Sequence, residues 1–266
     1  MTPAGIQAAA LALFQAEQSL IQTGLISRRY PDITLNDAYA VQAAFVALKQ
    51  KNGARQVGWK IGLTSRAMQQ ALDITTPDSG VLLDDMEFYD GVTVPAGRFI
   101  QPRVEAEIAF ILISPLHGAA TARADIVAAT DYVTPALEIL DTRILRADPA
   151  TGRARFVTDT VSDNAANAGI VLGGQKHRID AHDLRWVGAI LKRGGVVEET
   201  GLGAGVLDDP VTGILWLVHR LAQYGQGLSA GDIVLSGLFI RPVEAPSGSH
   251  FHADFGSFGI VSIAFA

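Results

Sequence analysis

The sequence predicts an α+β fold, with a helical region at the N-terminus and a body built on mixed β-sheet. Residues 4–23 and about 35–52 carry helical patterns. After residue 55 Gly and Pro become frequent, and short apolar, β-rich runs replace the helical patterns. Strand and helix patterns do not alternate regularly, which disfavours a doubly wound sheet or a TIM barrel. We therefore divide the chain into a helical N-terminal region, 1–55, and a body, 56–266.

The second helix carries the most complete set of local signals. Thr34 and Asp37 match the capping pattern in which a hydroxyl and an acidic side chain three residues later each bond the other's main chain. Gly53 stands where a glycine commonly ends a helix. Apolar residues also recur at helical spacing and predict one buried face. This stripe consists of Ala38, Val41, Phe45 and Leu48.

Six runs in the body predict strands, because they are short, apolar and bounded by turn residues. They are 57–63, 107–113, 132–140, 169–174, 231–237 and 259–265. Two stretches, near 123–130 and 210–224, predict helices. The run from Ile108 to Leu112 is unbroken, which is typical of a strand buried on both faces, although a buried helical segment has the same pattern.

Composition excludes several classes of function. The chain has 266 residues, of which 48% are hydrophobic and 18% charged, as expected of a globular protein. Its net charge is −6, with five lysines against sixteen arginines and no basic run, so we expect no nucleic-acid partner. Without cysteine there is no disulfide, thiolate zinc site or catalytic thiol. The sequence shows neither a signal-peptide pattern nor a membrane-length apolar run, so we expect a cytoplasmic protein.

Three glutamates form the first candidate site. Glu105 and Glu107 stand at the start of an apolar run, and side chains two residues apart share one face of a strand. Glu138 lies in a second apolar run. Buried like charges require compensation, and an all-oxygen ligand set suits Mg²⁺, Mn²⁺ or Ca²⁺. The alternative is that each glutamate faces solvent or pairs with an arginine such as Arg103 or Arg143.

Two further residues are candidates for proton transfer. Lys60 stands between Trp59 and Ile61, and a lysine in an apolar pocket can act in acid–base chemistry or neutralise an enolate. The alternative is that its stem is packed and its ammonium reaches water. Asp78 lies in the turn sequence TTPDSG (75–80), where it either caps the turn or handles a proton.

The segment SDNAANAG (162–169) adds small and amide residues immediately before a predicted strand. Two interpretations are open: these residues line a polar pocket, or they form an ordinary loop. Other patterns are weaker: GLGAGV (201–206) is not a dinucleotide-binding fingerprint, and the six histidines lack the spacing of a zinc site.

Taken together and in order, five segments resemble the hydratase/decarboxylase branch of the fumarylacetoacetase superfamily. They are GWKIGLTSRAM (58–68), PDSGVLLDDM (77–86), FIQPRVEAEIAF (99–110), DYVTPALEILDTR (131–143) and DTVSDNAANAGIVLGG (159–174). The resemblance extends over essentially the whole chain. It implies a fumarylacetoacetase-like rolled mixed β-sheet body, a homo-oligomer, and action on 2-hydroxydienoates or 2-oxoenoates from the meta-cleavage of aromatic compounds. One departure is Ser79, where the family form has an aromatic residue.

By the same resemblance, Mg²⁺ or Mn²⁺ is bound by Glu105, Glu107 and Glu138. Lys60 and Asp78 are then the catalytic acid and base, with either assignment open.

Substrate contacts also follow from the resemblance. Ser162 and Asn164 are expected to hold the substrate. The long 141–160 connection and the DNAANAG sequence indicate a seven-carbon dicarboxylate rather than a five-carbon acid. Arg241 is the first candidate for its distal carboxylate, with Arg153 and Arg155 as others.

Other activities use the same scaffold. A decarboxylase would stabilise a similar dienolate, and a five-carbon 2-hydroxydienoate is an alternative hydratase substrate. Hydrolases of acylpyruvates in the superfamily rely on a His–Glu pair near the N-terminal side of the site, whereas the first histidine here is His117. A non-catalytic subunit is disfavoured because the candidate metal and catalytic residues are all present.

Overall fold

The computed structural model describes residues 1–71 and 74–266 and confirms the α+β fold. Its helices are α1 (Pro3–Ser19), α2 (Ile26–Arg29), α3 (Leu35–Lys51), α4 (Arg66–Ala71), α5 (Arg123–Ala129), α6 (Val157–Ser162) and α7 (Pro210–Ala222). Among the described residues, no helix has the length and apolar character that crossing a membrane requires.

The strands form a large curled sheet, a smaller sheet and a short ribbon. They are β1 (Gln56–Gly62), β2 (Asp78–Leu83), β3 (Glu87–Phe88), β4 (Thr93–Val94), β5 (Arg103–Leu112), β6 (Leu116–His117), β7 (Thr130–Leu140), β8 (Asn167–Leu172), β9 (Gly188–Arg193), β10 (Val196–Leu202), β11 (Gly227–Leu228), β12 (Ile233–Leu235), β13 (Val243–Glu244), β14 (His250–Asp254) and β15 (Ile260–Phe265). The large sheet has the order β2-β1-β12-β5-β7-β8-β3, with β13 also on β5. The five-stranded sheet has the order β10-β9-β14-β15-β4, and β11 pairs with β6.

The two faces of the large sheet bury different apolar clusters. One face contributes Val104, Ile108 and Phe110 to the main core, which also includes residues of the smaller sheet and of α7. The other face carries a small cluster that includes Ala109, on the same strand. Because side chains alternate along a strand, this second face is also the one on which Glu105 and Glu107 lie.

The N-terminal helices pack around their own apolar cluster, which contains Leu13, Val41 and Phe45. The capping box at the start of α3 is present, with Thr34 and Asp37 in the expected roles. By contrast, the prediction that the first helix extends to residue 23 is wrong.

The first helix ends early because its C-cap, Leu20, adopts a left-handed conformation with φ 57°. The following residues bond to the chain after β7 instead of continuing the helix. The Gln22 amide donates to the carbonyl oxygens of Thr142 and Ile144, and the Thr23 main-chain nitrogen donates to that of Arg143.

Other element bounds differ from the sequence prediction. Strand β5 begins at Arg103, so both of its glutamates lie inside the strand. Strand β12 is only Ile233–Leu235. The smaller sheet contains β9 and β10, which were not predicted, because their exposed and buried residues do not form an apolar run.

Candidate metal centre and active site

The three predicted glutamates meet inside the curled sheet. Glu105 and Glu107 share a face of β5, and Glu105 stands directly opposite Glu138 in the antiparallel pair with β7. All three side chains are buried, and one carboxylate oxygen of each lies within 4.8 Å of the others. The neighbouring strands therefore hold the carboxylates together by register, because directly opposed side chains in a sheet are in contact.

Burial makes this concentration of negative charge costly. It raises the pKa of Glu105 well above its ordinary value, and the facing Glu138 raises it further, while Lys60 opposes the shift. The pKa of Glu107 is raised by the same causes, burial first and then the two neighbouring glutamates. The carboxylates need positive charge to stay ionised together.

The residues present fit a divalent cation. Oε1 of Glu107 and Oε2 of Glu138 are buried with no hydrogen-bond partner among the described residues, so each has a free ligand position. The other oxygens are used: the Gly237 amide donates to Glu107 Oε2 at 2.9 Å, and Asn167 Nδ2 donates to Glu138 Oε1 at 2.7 Å. Hydrogen bonds of this kind orient carboxylate ligands. A set of three carboxylates suits Mg²⁺, Mn²⁺ or Ca²⁺.

Lys60 lies beside the glutamates. Its neighbours Trp59 and Ile61 face the main core, so the alternation along β1 turns Lys60 to the opposite face. Its Nζ is 3.4 Å from Glu138 Oε1, and its side chain is almost fully buried. Burial alone lowers the pKa of Lys60, but the surrounding carboxylates, with Glu138 first, outweigh it and raise the pKa above its ordinary value. The ammonium therefore stays protonated at neutral pH.

Asp78 joins the same group from β2, where it is paired with Gly62 of β1. A Cβ at position 62 would overlap the Asp78 carboxylate and lie 3.0 Å from Lys60 Nζ, so only glycine leaves room for the two side chains to approach. Burial raises the pKa of Asp78, Lys60 lowers it, and Glu138 raises it, with a net increase. The adjacent Ser79 lies on the other face of β2, where its main chain bonds Tyr39 and Gln42.

The structure separates the roles expected of Ser162 and Asn164. The Ser162 hydroxyl is fully buried and has no hydrogen-bond partner among the described residues, which leaves it available to a ligand. The Asn164 side chain is already used, because its Oδ1 accepts from the Val81 nitrogen at 2.7 Å and its Nδ2 donates to the Val81 oxygen at 2.8 Å. The Asn164 amide thus ties the turn to β2, and its contact with the substrate stays a prediction.

This turn was missed by the sequence analysis, although the DNAANAG sequence contains it. Asn164, Ala165 and Ala166 are consecutive non-glycine residues with φ of 52°, 52° and 58°. Left-handed backbone costs about 1–2 kcal/mol per such residue, so the surroundings must hold it. The turn delivers Asn167 to Glu138.

A buried ion pair supports the turn from the other side. The Arg143 guanidinium donates to the Asp163 carboxylate and to the carbonyl oxygens of Asp163 (2.9 Å) and Asn167 (3.1 Å). Its Nη1 also reaches Glu17 Oε2 of α1 at 3.2 Å. Arg143 therefore stabilises this framework. The alternative raised from the sequence, that Arg143 pairs with one of the three clustered glutamates, does not describe its contacts.

Of the arginines considered for a distal carboxylate, Arg241 is not brought to the site. Its side chain is 78% exposed and pairs with Glu199 at 2.6 Å, and its role toward the substrate stays a prediction. Arg153 is exposed and lies over the Phe156 ring. Arg155 is partly buried, and its Nη1 donates to Thr142 Oγ1 at 2.6 Å, just beyond the end of β7.

Comparison with known proteins agrees with this geometry. The chain is 52% identical to the 2-oxo-hept-4-ene-1,7-dioate hydratase of Escherichia coli over 253 residues, which is 95% of each chain. It is 38% identical to a 2-keto-4-pentenoate hydratase of Paraburkholderia xenovorans strain LB400, covering 100% of this chain and 96% of that one. No protein-family model matches.

Solved structures also show similarity to this family. The 4-oxalocrotonate decarboxylase of Pseudomonas putida G7, solved with magnesium and adipate, superposes with a TM-score of 0.93, is 31% identical, and covers 100% of this chain and 99% of that one. A fumarylpyruvate hydrolase of Pseudomonas aeruginosa, 12% identical, shares the fold with a TM-score of 0.60 over 80% of this chain and 89% of that one. The fold is thus that of the fumarylacetoacetase-like proteins. Within them, this chain belongs to the hydratase/decarboxylase branch.

Proposed function

We propose that this protein is a divalent-metal-dependent hydratase acting in the meta-cleavage catabolism of aromatic compounds. Its substrate is 2-hydroxyhepta-2,4-diene-1,7-dioate and its product the 4-hydroxy-2-oxo diacid. The observation that carries the proposal is the buried group of three carboxylates, Lys60 and Asp78 on one face of the curled sheet. The similarity to a hydratase of a seven-carbon 2-oxo diacid supports the substrate.

Glu105, Glu107 and Glu138 hold the cation, for which we propose Mg²⁺ or Mn²⁺. The unpartnered oxygens of Glu107 and Glu138 support this assignment, as do the magnesium and calcium in the solved decarboxylase. When bound, the cation supplies Lewis acidity to the C2 oxygen of the substrate and stabilises negative charge there.

Lys60 serves as the general acid. In the overall reaction the dienol loses the proton of its O2 hydroxyl and gains one at C5, and water then adds its oxygen to C4 and a proton to C3. Lys60 is suited to protonate carbon because its ammonium carries a proton to donate and its buried side chain lies against the carboxylates. Its position 3.4 Å from Glu138 places that proton at the edge of the metal centre.

Asp78 serves as the general base. Its carboxylate faces the same space as Lys60 Nζ, because Gly62 leaves that space open. Burial raises its pKa and thereby makes it a better proton acceptor than an exposed aspartate. Ser162 supplies a hydroxyl for a substrate oxygen, since its own hydrogen bonds are not used by the protein.

The decisive experiment is a hydration assay on protein treated with EDTA and then supplied with Mg²⁺. The seven-carbon diacid and 2-hydroxypenta-2,4-dienoate are assayed separately, with loss of dienol absorbance followed and products identified by mass. We expect metal-dependent addition of one water to the seven-carbon diacid. Preference for the five-carbon acid would support the hydration reaction but would show that the proposed substrate is wrong. Release of CO₂ from a 2-oxo-3-enedioate, without hydration of either dienol, would identify a decarboxylase.

Replacing Lys60 tests the proton-transfer assignment. Lys60→Ala should lower kcat by about 10²- to 10⁴-fold, the usual effect of removing a general acid. Lys176→Ala is the matched control, because Lys176 is exposed and its ammonium lies over the Tyr132 ring. Undiminished turnover in Lys60→Ala would remove Lys60 from the mechanism.

We also propose that the protein is a cytoplasmic homo-oligomer. Several large apolar side chains are exposed on the single chain, among them Tyr89 (87%), Trp186 (73%) and Ile21 (71%). Exposed aromatic residues are enriched at subunit interfaces. Light scattering coupled to size-exclusion chromatography tests this: a mass of 28.2 kDa, that of one chain, would contradict it.

A further inference from the structure

Three arginines form a positively charged group next to the glutamate site. We refer to Arg103, Arg146 and Arg155 as the arginine cluster. Arg103 begins β5 two residues before Glu105, so it lies on the same face of the strand, about 7 Å away along the backbone. The strand thus leads directly from the metal centre to the cluster.

The other two arginines are brought together by the connection after β7. Its two arms lie antiparallel, with Ala147 opposite Ala154. The Arg155 main-chain nitrogen donates to the Arg146 carbonyl oxygen at 3.0 Å, so the two arginines are neighbours at the base of this hairpin. The hydrogen bond from Arg155 to Thr142 places its guanidinium at the end of β7, the strand that carries Glu138.

The protein supplies too little negative charge for the cluster. Glu244 accepts from Arg103 at 2.8 Å and from Arg146 at 2.6 Å. Among residues 1–71 and 74–266, Arg155 has no ion pair. Asp163, the carboxylate that most favours the charged form of Arg155, is already bonded to Arg143. Arg103 and Arg146 therefore share one carboxylate, and Arg155 has only the hydroxyl of Thr142 as a side-chain partner among the described residues.

This arrangement is unfavourable without an anion. Burial lowers the pKa of Arg155, Asp163 opposes the shift, and the nearby Arg103 and Arg146 lower it again. A partly desolvated guanidinium is stabilised by a carboxylate, to which it can donate two parallel hydrogen bonds. One arginine of the cluster, Arg146, and its partner Glu244 line a surface cavity of about 560 Å³.

We propose that the arginine cluster is the subsite for the distal carboxylate of a dicarboxylate substrate, with Arg155 and Arg146 as its main ligands. This inference rests on the proposed function, because the other end of the substrate is taken to lie at the glutamates. The cluster selects the seven-carbon diacid over the five-carbon acid, which has no second carboxylate. It replaces Arg241 as the residue expected to read chain length.

The test compares kcat/KM for the two substrates in four variants. Arg155→Gln and Arg146→Gln should each lower kcat/KM for the diacid by about 10- to 100-fold, the effect of losing one hydrogen bond to a charged group. Activity on the five-carbon acid should remain within about twofold of the wild type. Arg155→Lys should recover part of the preference, and Arg178→Gln, in an exposed pair with Asp180, is the control. Circular dichroism and thermal melting verify that the variants fold.

An equal loss on both substrates, or no loss in either glutamine variant, would overturn the subsite. If the wild-type protein hydrates neither substrate, the proposed function fails. A measurement of ligand binding then tests the subsite independently of activity. Calorimetry with the Mg²⁺-loaded protein then compares adipate with hexanoate, which has the same chain length and one carboxylate. Tighter binding of adipate, lost in Arg155→Gln, supports the subsite. Equal binding of the two acids overturns it.

Discussion

The two faces of strand β5 differ sharply in chemistry. On one face, Val104, Ile108 and Phe110 are completely buried in the main core. On the other, one residue away in each case, Glu105 and Glu107 are equally buried but charged. The same backbone therefore places a fully buried apolar core and a cluster of buried carboxylates on opposite sides of one sheet.

The difference shows how an unfavourable site is held in place. The apolar face fixes the strand, and the strand fixes the carboxylates, whose separation is then not free to relax. Compensation on the charged face is local and specific: the ammonium of Lys60, the amide of Asn167 and the main-chain amide of Gly237. Stability and activity should accordingly respond separately to changes on the two faces.

The largest effect on stability is expected on the apolar face. Phe110→Ala should lower the free energy of unfolding by about 3–5 kcal/mol, because it removes a fully buried ring and leaves a cavity. Urea denaturation measures the loss, and activity per folded molecule should stay close to that of the wild type. An equally large loss of activity in the folded variant would show that the two faces are not separable.

On the charged face, the effect should be on activity. Glu138→Gln keeps an oxygen for Asn167 but removes the charge beside Lys60, and we expect kcat/KM to fall by about 100-fold or more. The metal-free variant should unfold at a temperature no lower than the wild type, since repulsion with Glu105 is relieved. Glu199→Gln, in an exposed ion pair, serves as the control. A clearly lower melting temperature would mean that the carboxylates stabilise the fold.

Much of the site followed from the sequence because it depends on local periodicity. The i, i+2 spacing of Glu105 and Glu107 places them on one face in any strand, and Lys60 between two apolar residues points the other way by the same rule. The third ligand, Glu138, required the pairing of β5 with β7, which alternation alone does not specify. There the family resemblance supplied what periodicity lacked.

The remaining features depend on contacts between distant parts of the chain. Strands β9 and β10 escaped prediction because their outer residues interrupt any apolar run. The resemblance implied a substrate contact for Asn164, whereas its bonds to Val81 arise only in the folded chain. Arg146 and Arg155 become neighbours only when their connection folds into a hairpin.

The left-handed turn on the charged face should show a smaller effect. Ala165→Gly should raise the free energy of unfolding by about 1 kcal/mol, because glycine adopts φ 52° without the steric cost that alanine has there. The matched control is Ala128→Gly, on the exposed side of α5, which should lower it by about 0.5–1 kcal/mol. Destabilisation by both substitutions would show that the turn is not strained.

The smallest effect concerns the framework behind the turn, where Glu17 lies between Lys49 and Arg143. Burial alone raises the pKa of Glu17, but the two cations outweigh it and hold the pKa below its ordinary value of 4.5. A carboxylate with a lowered folded-state pKa contributes stability above the unfolded pKa and loses it as pH falls through the folded one. Glu17→Gln should therefore lower the free energy of unfolding by about 1 kcal/mol at pH 7, because Lys49 and Arg143 keep Asp85 and Asp163 as partners. The difference from the wild type should shrink as the pH falls below 4.5.

Gln18→Ala, which changes no charge on the same helix, should show no such pH dependence. A difference in the free energy of unfolding between wild type and Glu17→Gln that stays constant across that range would contradict the prediction. It would mean that the ion pairs of Glu17 with Lys49 and Arg143 do not stabilise the fold.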